Sequence, residues 1–303
     1  MADRQDDATA TLAGVRLSHP GRVLYERQGV TKLDLARYLD SVAEPFLAHT
    51  ANRLVSLVRC PRGQGEQCFF QRHGGTGLPE AFRRLGVRAK DGSEDEYLYL
   101  TDRKGLISAA QMGVLEFHIW GSRVDDIERP DRLVFDLDPD EGLDFGAVKL
   151  AAERVRDVLG ALDLQSFPLL TGGKGIHVVA PLVRRHEWPT VKAFAEAVAR
   201  RMAEDAPDTY VATMSKAKRR GKIFIDYFRN ERSASAIAPF SPRAREGAPL
   251  AWPVSWDALE KVKAPDQYRL LDADPSDTDG WAGYEDVRQS LKKACLRALG
   301  VAD

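Results

Sequence analysis

The segment Arg132-Leu133-Val134-Phe135-Asp136-Leu137-Asp138 constrains this chain more than any other. Its apolar residues call for a β-strand at the edge of a core, and the period of two then puts Asp136 and Asp138 on one face, about 7 Å apart along the chain. Like charges held that close repel unless a cation neutralises them, and clustered carboxylate oxygens suit Mg²⁺ or Mn²⁺. Alone, D-x-D also describes an acidic strand end facing solvent. Asp226 adds weight: it is the one acid in Lys222-Ile223-Phe224-Ile225-Asp226-Tyr227-Phe228, a strand otherwise largely apolar or aromatic. An aspartate there needs compensation. Three aspartates from two strands are the kind of ligand set that two-metal phosphoryl transfer uses, and pairing of Asp226 with Arg229 or Lys222 would meet the same need.

Thr171-Gly172-Gly173-Lys174-Gly175-Ile176-His177 lies between two expected strands. Its glycines let backbone approach phosphates and Lys174 adds a point charge, so it reads as a triphosphate cradle or as a tight hairpin. It matches neither the Walker pattern nor a Rossmann fingerprint. His177 and His118 each read equally as a phosphate contact or a structural histidine.

The surrounding pattern is α+β. Thr31 caps a helix over Thr31–Leu39, strands are expected at 54–59, 68–73 and 96–100, and further strands at 115–120 and 132–138. A helix follows at about 145–162, then strands near 168–170 and 176–180, a helix over 188–204, the strand 222–228 and a helix at 284–299. Residues 1–10 read as disordered and 11–303 as a single domain, with an N-terminal part at about 11–110 and a catalytic core at about 111–300. A sheet of mixed or antiparallel pairing flanked by helices, with the N-terminal α/β portion packed on it, is the fold expected.

Composition mainly excludes. The acidic N-terminus has no basic-then-apolar leader and no stretch approaches the ~18 apolar residues of a membrane span, which reads as a cytosolic protein. Three cysteines (Cys60, Cys68 and Cys295) without C-x-x-C spacing fit neither a disulfide framework nor a zinc finger, so free thiols are expected. Formal net charge is −1, so any polyanion must be met by local charge such as the run Lys216–Lys222, which otherwise reads as a solvated loop.

Together, Asp136-Leu137-Asp138, Thr171 to His177 and Phe224-Ile225-Asp226-Tyr227 resemble the three motifs of archaeo-eukaryotic primases in order and spacing. His19-Pro20-Gly21-Arg22-Val23-Leu24-Tyr25, Gly29-Val30-Thr31-Lys32, Phe69-Phe70-Gln71-Arg72-His73, Leu115-Glu116-Phe117-His118 and Arg219-Arg220-Gly221-Lys222 are similar to the polymerase domain of bacterial DNA ligase D. This resemblance runs from about residue 12 to 298.

It implies a primase-like fold and a template-dependent nucleotidyl transferase that fills gaps and extends ends in non-homologous end joining, preferring ribonucleotides. Asp136, Asp138 and Asp226 are then the catalytic triad holding two Mn²⁺ or Mg²⁺ ions, with Asp226 also placed to assist deprotonation of the primer hydroxyl. His118, Thr171, Lys174, His177, Arg220 and Arg243 contact the incoming NTP or dNTP. Thr171 stands where the family usually has serine. Arg22, where the family usually has lysine, and Lys32 bind the 5′-phosphate of gapped or broken DNA; Phe69 and Phe70 stack on the template. Implied partners are Ku and a DNA ligase, with no membrane, in the bacterial cytoplasm and at the nucleoid during repair. A metal-dependent phosphohydrolase or a non-catalytic DNA-end-binding module are the competing readings.

Overall fold

The computed structural model describes residues 9–89 and 91–301. The expectation of disorder over residues 1–10 falls mostly outside them; Ala10 begins the first strand. The chain forms two compact units, one of residues 1–119, 237–251 and 268–278, the other of 120–236, 252–267 and 279–303. Beyond residue 236 the chain alternates between units, an arrangement that a linear reading of the sequence divides at one point only.

The first unit begins with two antiparallel ribbons, β1 (Ala10–Leu12) with β2 (Val15–Leu17) and β3 (Val23–Tyr25) with β4 (Val30–Thr31). Helix α1 (Lys32–Ser41) starts where Thr31 accepts from the Asp34 N–H while the Asp34 carboxylate accepts from the Thr31 N–H, a reciprocal cap that satisfies two orphan donors. Helix α2 (Ala43–Thr50) follows, then β5 (Leu54–Arg59), β6 (Phe69–Gln71), β7 (Arg83–Arg88), β8 (Glu94–Tyr99), α3 (Arg103–Gln111) and β9 (Val114–Trp120). Strands β9, β5, β8 and β7 pair in that order, and β6 also pairs with β5, all antiparallel. The expectation of free thiols is corrected here. Pairing of Arg59 with Phe69 across β5 and β6 sets Cys60 and Cys68 opposite one another, and they form a disulfide that closes the intervening loop; Cys295 alone is free and buried.

The second unit holds β10 (Arg132–Pro139), α4 (Phe145–Gly160), β11 (Phe167–Leu170), β12 (Ile176–Pro181), α5 (Trp188–Asp205), β13 (Tyr210–Val211) and β14 (Ile223–Asp226). Strand β15 (Ser235–Ile237) carries the chain back to the first unit, and β16 (Trp252–Pro253), α6 (Trp256–Lys261) and α7 (Lys293–Ala298) complete the second. Its sheet runs β13-β14-β10-β12-β11-β16, parallel only between β13 and β14, so the mixed sheet expected from the sequence is found. Val148, Ala151, Ala152, Val155 and Leu159 make one apolar stripe along α4, whose first turn is capped by Asp144, and every residue of β12 is buried.

Three expected elements shorten, the strand expected over 68–73 to Phe69–Gln71. The strand expected through Phe228 ends at Asp226, because the Asp226 carboxylate accepts from the Phe228 N–H at 2.8 Å and turns the chain off the sheet. There the Asn230 side chain takes over pairing with β10, accepting from the Val134 N–H at 2.8 Å and donating to the Val134 carbonyl at 2.7 Å. The helix expected over 284–299 survives only as a short 3₁₀ turn at Tyr284–Asp286 and α7. Between them Gln289 is held extended, its carbonyl accepting from the Val183 N–H and its amide donating to the Gln165 and Pro181 carbonyls, which competes successfully with helix formation. Among the described residues no helix is long and apolar enough to cross a membrane.

Candidate active site

Strand β10 lies between β12 and β14, and its register decides which side chains meet. Asp136 is opposite His177 on one side and Asp226 on the other, so the three line one cross-strand row, with Asp138 two residues further on the same face. His177 Nε2 is 3.4 Å from Asp136 Oδ1. The Arg229 guanidinium bridges the two acids, Nη2 lying 3.1 Å from Oδ2 of both Asp136 and Asp226. Arg219 lies over the Phe224 ring, its Cζ 3.7 Å from the centroid, with Nη1 3.6 Å from Asp138 Oδ2.

The electrostatics divide the acids. Burial pushes all three carboxyls up. At Asp136 the charges and hydrogen bonds of His177 and Arg229 more than offset it, and the group sits well below the usual range. Asp138 stays raised, by burial and then by the Asp136 charge, and Asp226 is raised by burial with Asp136 adding to it against Arg229. This face therefore retains a demand for positive charge. Its donors are all carboxylate oxygens, which fits a hard divalent ion in chemistry. As they stand, with Arg229 bridging two of them, no three His, Cys, Asp or Glu side chains among the described residues are arranged to hold one ion.

The glycine-rich turn packs against the same strand. A Cβ on Gly175 would lie 2.2 Å from the Leu137 carbonyl oxygen, so only glycine permits this approach. Gly172, at φ +65, turns the chain, and the nearly buried Thr171 donates its hydroxyl to the Gly175 carbonyl at 2.9 Å, closing the loop from within. Lys174 is exposed, 4.0 Å from Glu141. His177 is 4% exposed and faces Asp136. Arg220 is exposed on the basic loop, while its neighbour Arg219 is the residue brought to Asp138. That loop is tied to the end of β10 by Asp140, which accepts from the Gly221 N–H at 2.7 Å. Arg219, Arg229 and Asp140 were not singled out as site residues by sequence. For Arg229 the spacing of three from Asp226 was the available signal; nothing in the run Arg219-Arg220 says which arginine faces the acids.

The remaining expected site residues lie in the first unit. Arg22 and Lys32 are neighbours, the Lys32 N–H donating to the Arg22 carbonyl at 2.8 Å. Lys32 Nζ donates to the Ser18 carbonyl at 2.8 Å, and burial, with the Arg22 charge behind it, lowers its pKa. Two adjacent cations of which one is desolvated favour an anion. Phe69 and Phe70 are 51% and 54% exposed, so neither is spent on the core. The Phe70 ring meets His118 edge-on at 6.0 Å, and Arg243 lies beside Glu116, which also holds His118.

A helix-flanked mixed sheet with acids facing each other across its middle strands and a glycine turn packed on them places the molecule among nucleotidyltransferases of the primase-polymerase class. Residues 31–281 match the model of the LigD primase-polymerase domain, and the chain belongs to that family. It is 39% identical over 297 residues to the multifunctional non-homologous end joining protein LigD of Pseudomonas aeruginosa, a match that covers 96% of this chain and 35% of that protein. With the protein of the same description from Mycolicibacterium smegmatis it shares 32% over 295 residues, 92% of this chain and 39% of the relative. The chain thus spans well under half of these relatives. The solved polymerase domain of Mycobacterium tuberculosis ligase D in complex with DNA superposes with a TM-score of 0.80 at 32% identity, covering 85% of this chain and 92% of that one.

Proposed function

We propose that this chain is a template-directed polymerase and primase that fills gaps and extends ends during non-homologous end joining, using Asp136, Asp138 and Asp226 as its catalytic acids. The observation that carries the reading is the register of β10: Asp136 is directly opposite Asp226, with Asp138 on the same face. These three carboxylates would hold a pair of Mn²⁺ or Mg²⁺ ions, which would supply activation of the primer 3′-hydroxyl and charge stabilisation of the triphosphate.

The chain's own side chains do the rest. Asp226, at the end of β14, assists deprotonation of the primer hydroxyl. Lys174, exposed on the glycine turn, offers a point charge to the triphosphate, and Thr171 with Gly175 holds the turn against β10. His118, His177 and Arg243 bind the incoming nucleotide, with Arg220 from the basic loop. Arg22 and Lys32 take the 5′-phosphate, and the half-exposed Phe69 and Phe70 stack on template bases. The reading further includes preference for ribonucleotides and cooperation with Ku and a DNA ligase activity; its place in end joining is supported by the relatives' description as multifunctional non-homologous end joining proteins.

The test is extension of a labelled primer on a gapped duplex with a downstream 5′-phosphate, with Mn²⁺ and NTPs or dNTPs. Templated extension supports the reading, and the NTP to dNTP ratio reports the sugar preference. Binding of the gapped DNA without extension under any metal leaves the end-binding module as the better account; release of nucleoside from added nucleotide without extension points to a phosphohydrolase.

A further inference from the structure

Glu116 is a buried carboxylate with no assigned part in the chemistry. Strand periodicity sends Glu116 and His118 to one face of β9 and Phe117 to the other, where it packs edge-on against Phe46. On the Glu116 face, Val58 of β5 pairs with both Glu116 and Phe70, so the acid, Val58 and Phe70 form one cross-strand row beside His118. Three groups converge on the carboxylate, His118 and the Ala244 N–H through hydrogen bonds and the Arg243 guanidinium as an ion pair. Oε2 lies 2.7 Å from His118 Nε2, Oε1 lies 3.1 Å from Arg243 Nε, and Oε1 accepts from the Ala244 N–H at 2.9 Å. Its side chain is 9% exposed.

Burial pushes this carboxyl up, but the His118 hydrogen bond and the Arg243 charge prevail and hold it down at about 2. It is therefore ionised at any physiological pH, and an ionised carboxylate only accepts hydrogen bonds. The proton between them must then sit on His118 Nε2, which fixes the tautomer and leaves Nδ1 as the nitrogen for a ligand. Arg243 is fixed from three directions: Glu116 on its side chain, the buried Tyr25 hydroxyl donating to its carbonyl at 2.8 Å, and the Pro249 carbonyl accepting from its N–H at 2.9 Å. For stability alone an apolar residue would serve as well as a buried acid. What an acid adds is the orientation of two cationic or proton-bearing side chains from strands and loops far apart in sequence.

We propose that Glu116 is a positioning residue for nucleotide binding, holding the His118 imidazole and the Arg243 guanidinium in the geometry that receives the incoming nucleoside triphosphate. This rests on the reading that His118 and Arg243 contact the nucleotide. The reaction itself is unchanged; Glu116 acts through its two partners and touches no reacting atom.

The experiment is a double-substitution cycle in steady-state primer extension on the gapped duplex, measuring KM for ATP opposite a template T in the wild type, Glu116→Gln, His118→Ala, Arg243→Ala and Glu116→Gln combined with His118→Ala. Glutamine keeps the size and one acceptor, so the variant folds, which the thermal midpoint checks. Glu116→Gln is expected to raise KM roughly 10-fold, with the loss falling on KM more than on kcat. In the His118→Ala background its effect should shrink to under about 3-fold, because the partner it orients is gone. An unchanged KM for Glu116→Gln, or an equal effect in both backgrounds, overturns the positioning role while leaving the nucleotide-binding reading intact. If His118→Ala and Arg243→Ala both leave KM unchanged, that underlying reading fails, and the positioning role with it.

Discussion

The acids of β10 and β14 and the acid of β9 are neutralised in opposite ways. Glu116 alone meets an imidazole, a guanidinium and a backbone N–H, and is held at about 2 despite burial. Asp136, Asp138 and Asp226 share Arg229, Arg219 and His177 among three carboxylates; only Asp136 is held down, while Asp138 and Asp226 remain raised. A satisfied acid is a fixed strut. Acids left short of compensation are a site that gains from added positive charge, and a protein keeps such a cost where function requires it.

The largest effect expected from this contrast is on chemistry. Asp136→Ala combined with Asp138→Ala should reduce templated extension by on the order of 10³-fold or more, since several kcal/mol of charge stabilisation are lost. Binding to gapped DNA, followed by gel shift, should persist. Substantial extension by this double variant would show that the acids on β10 are not the site.

Acid unfolding sharpens the other side. Glu116 titrates lower in the folded chain than its ordinary 4.5, so its contribution is present in full above that value and is lost as pH falls toward 2. Of roughly 3 kcal/mol at neutral pH, about 2 kcal/mol should be gone at pH 3. Urea unfolding at pH 7 and pH 3 should therefore show a smaller acid loss for Glu116→Gln than for the wild type. Equal losses would mean that Glu116 is not held down as described.

Arg229 gives a smaller, partly solvent-screened effect. Arg229→Gln should lower metal-free stability by about 1–2 kcal/mol, because two facing carboxylates lose their shared cation. Mn²⁺ should then raise the thermal midpoint more in the variant than in the wild type, since the ion replaces the missing charge. A variant as stable as the wild type without metal would remove Arg229 from the account. The smallest effect leaves both charged regions as they are. Replacing Phe69 with alanine should weaken binding of gapped DNA with an exposed template strand by about 1–2 kcal/mol, measured by fluorescence anisotropy, and change stability little because the ring is about half exposed.

Much of the fold was legible because single elements follow local rules. Strands β5, β9, β10 and β12 came from apolar runs to within a residue or two, and α1 from its Thr31 cap. Helix α3 was not foreseen: Gly105 and Ser108 are poor helix formers, and it is tertiary burial of Leu106, Ile107, Ala109 and Ala110 that settles it. Strand β7 escaped because it is charged and mostly exposed, with Val87 its buried residue, and owes its existence to pairing with β8. The candidate acids were legible as residue types in a periodic strand. Of their counter-charges, Arg229 was legible as a partner for Asp226 from its spacing, whereas its reach to Asp136 and that of Arg219 to Asp138 were not, for reach across a sheet depends on register.

By itself the sequence determined that three aspartates sit on two apolar strands, that Asp136 and Asp138 share a face, and that a glycine turn stands between neighbouring strands, because each of these follows from a period of two and from local backbone freedom. Only the tertiary structure decided that Asp226 stands directly opposite Asp136, that Arg219 and not Arg220 reaches Asp138, that Cys60 meets Cys68, and that Glu116 joins His118 to Arg243. Each of those depends on which strands pair and at what offset. Pairing is set by the burial of whole faces across distant segments, so no local stretch of sequence contains it.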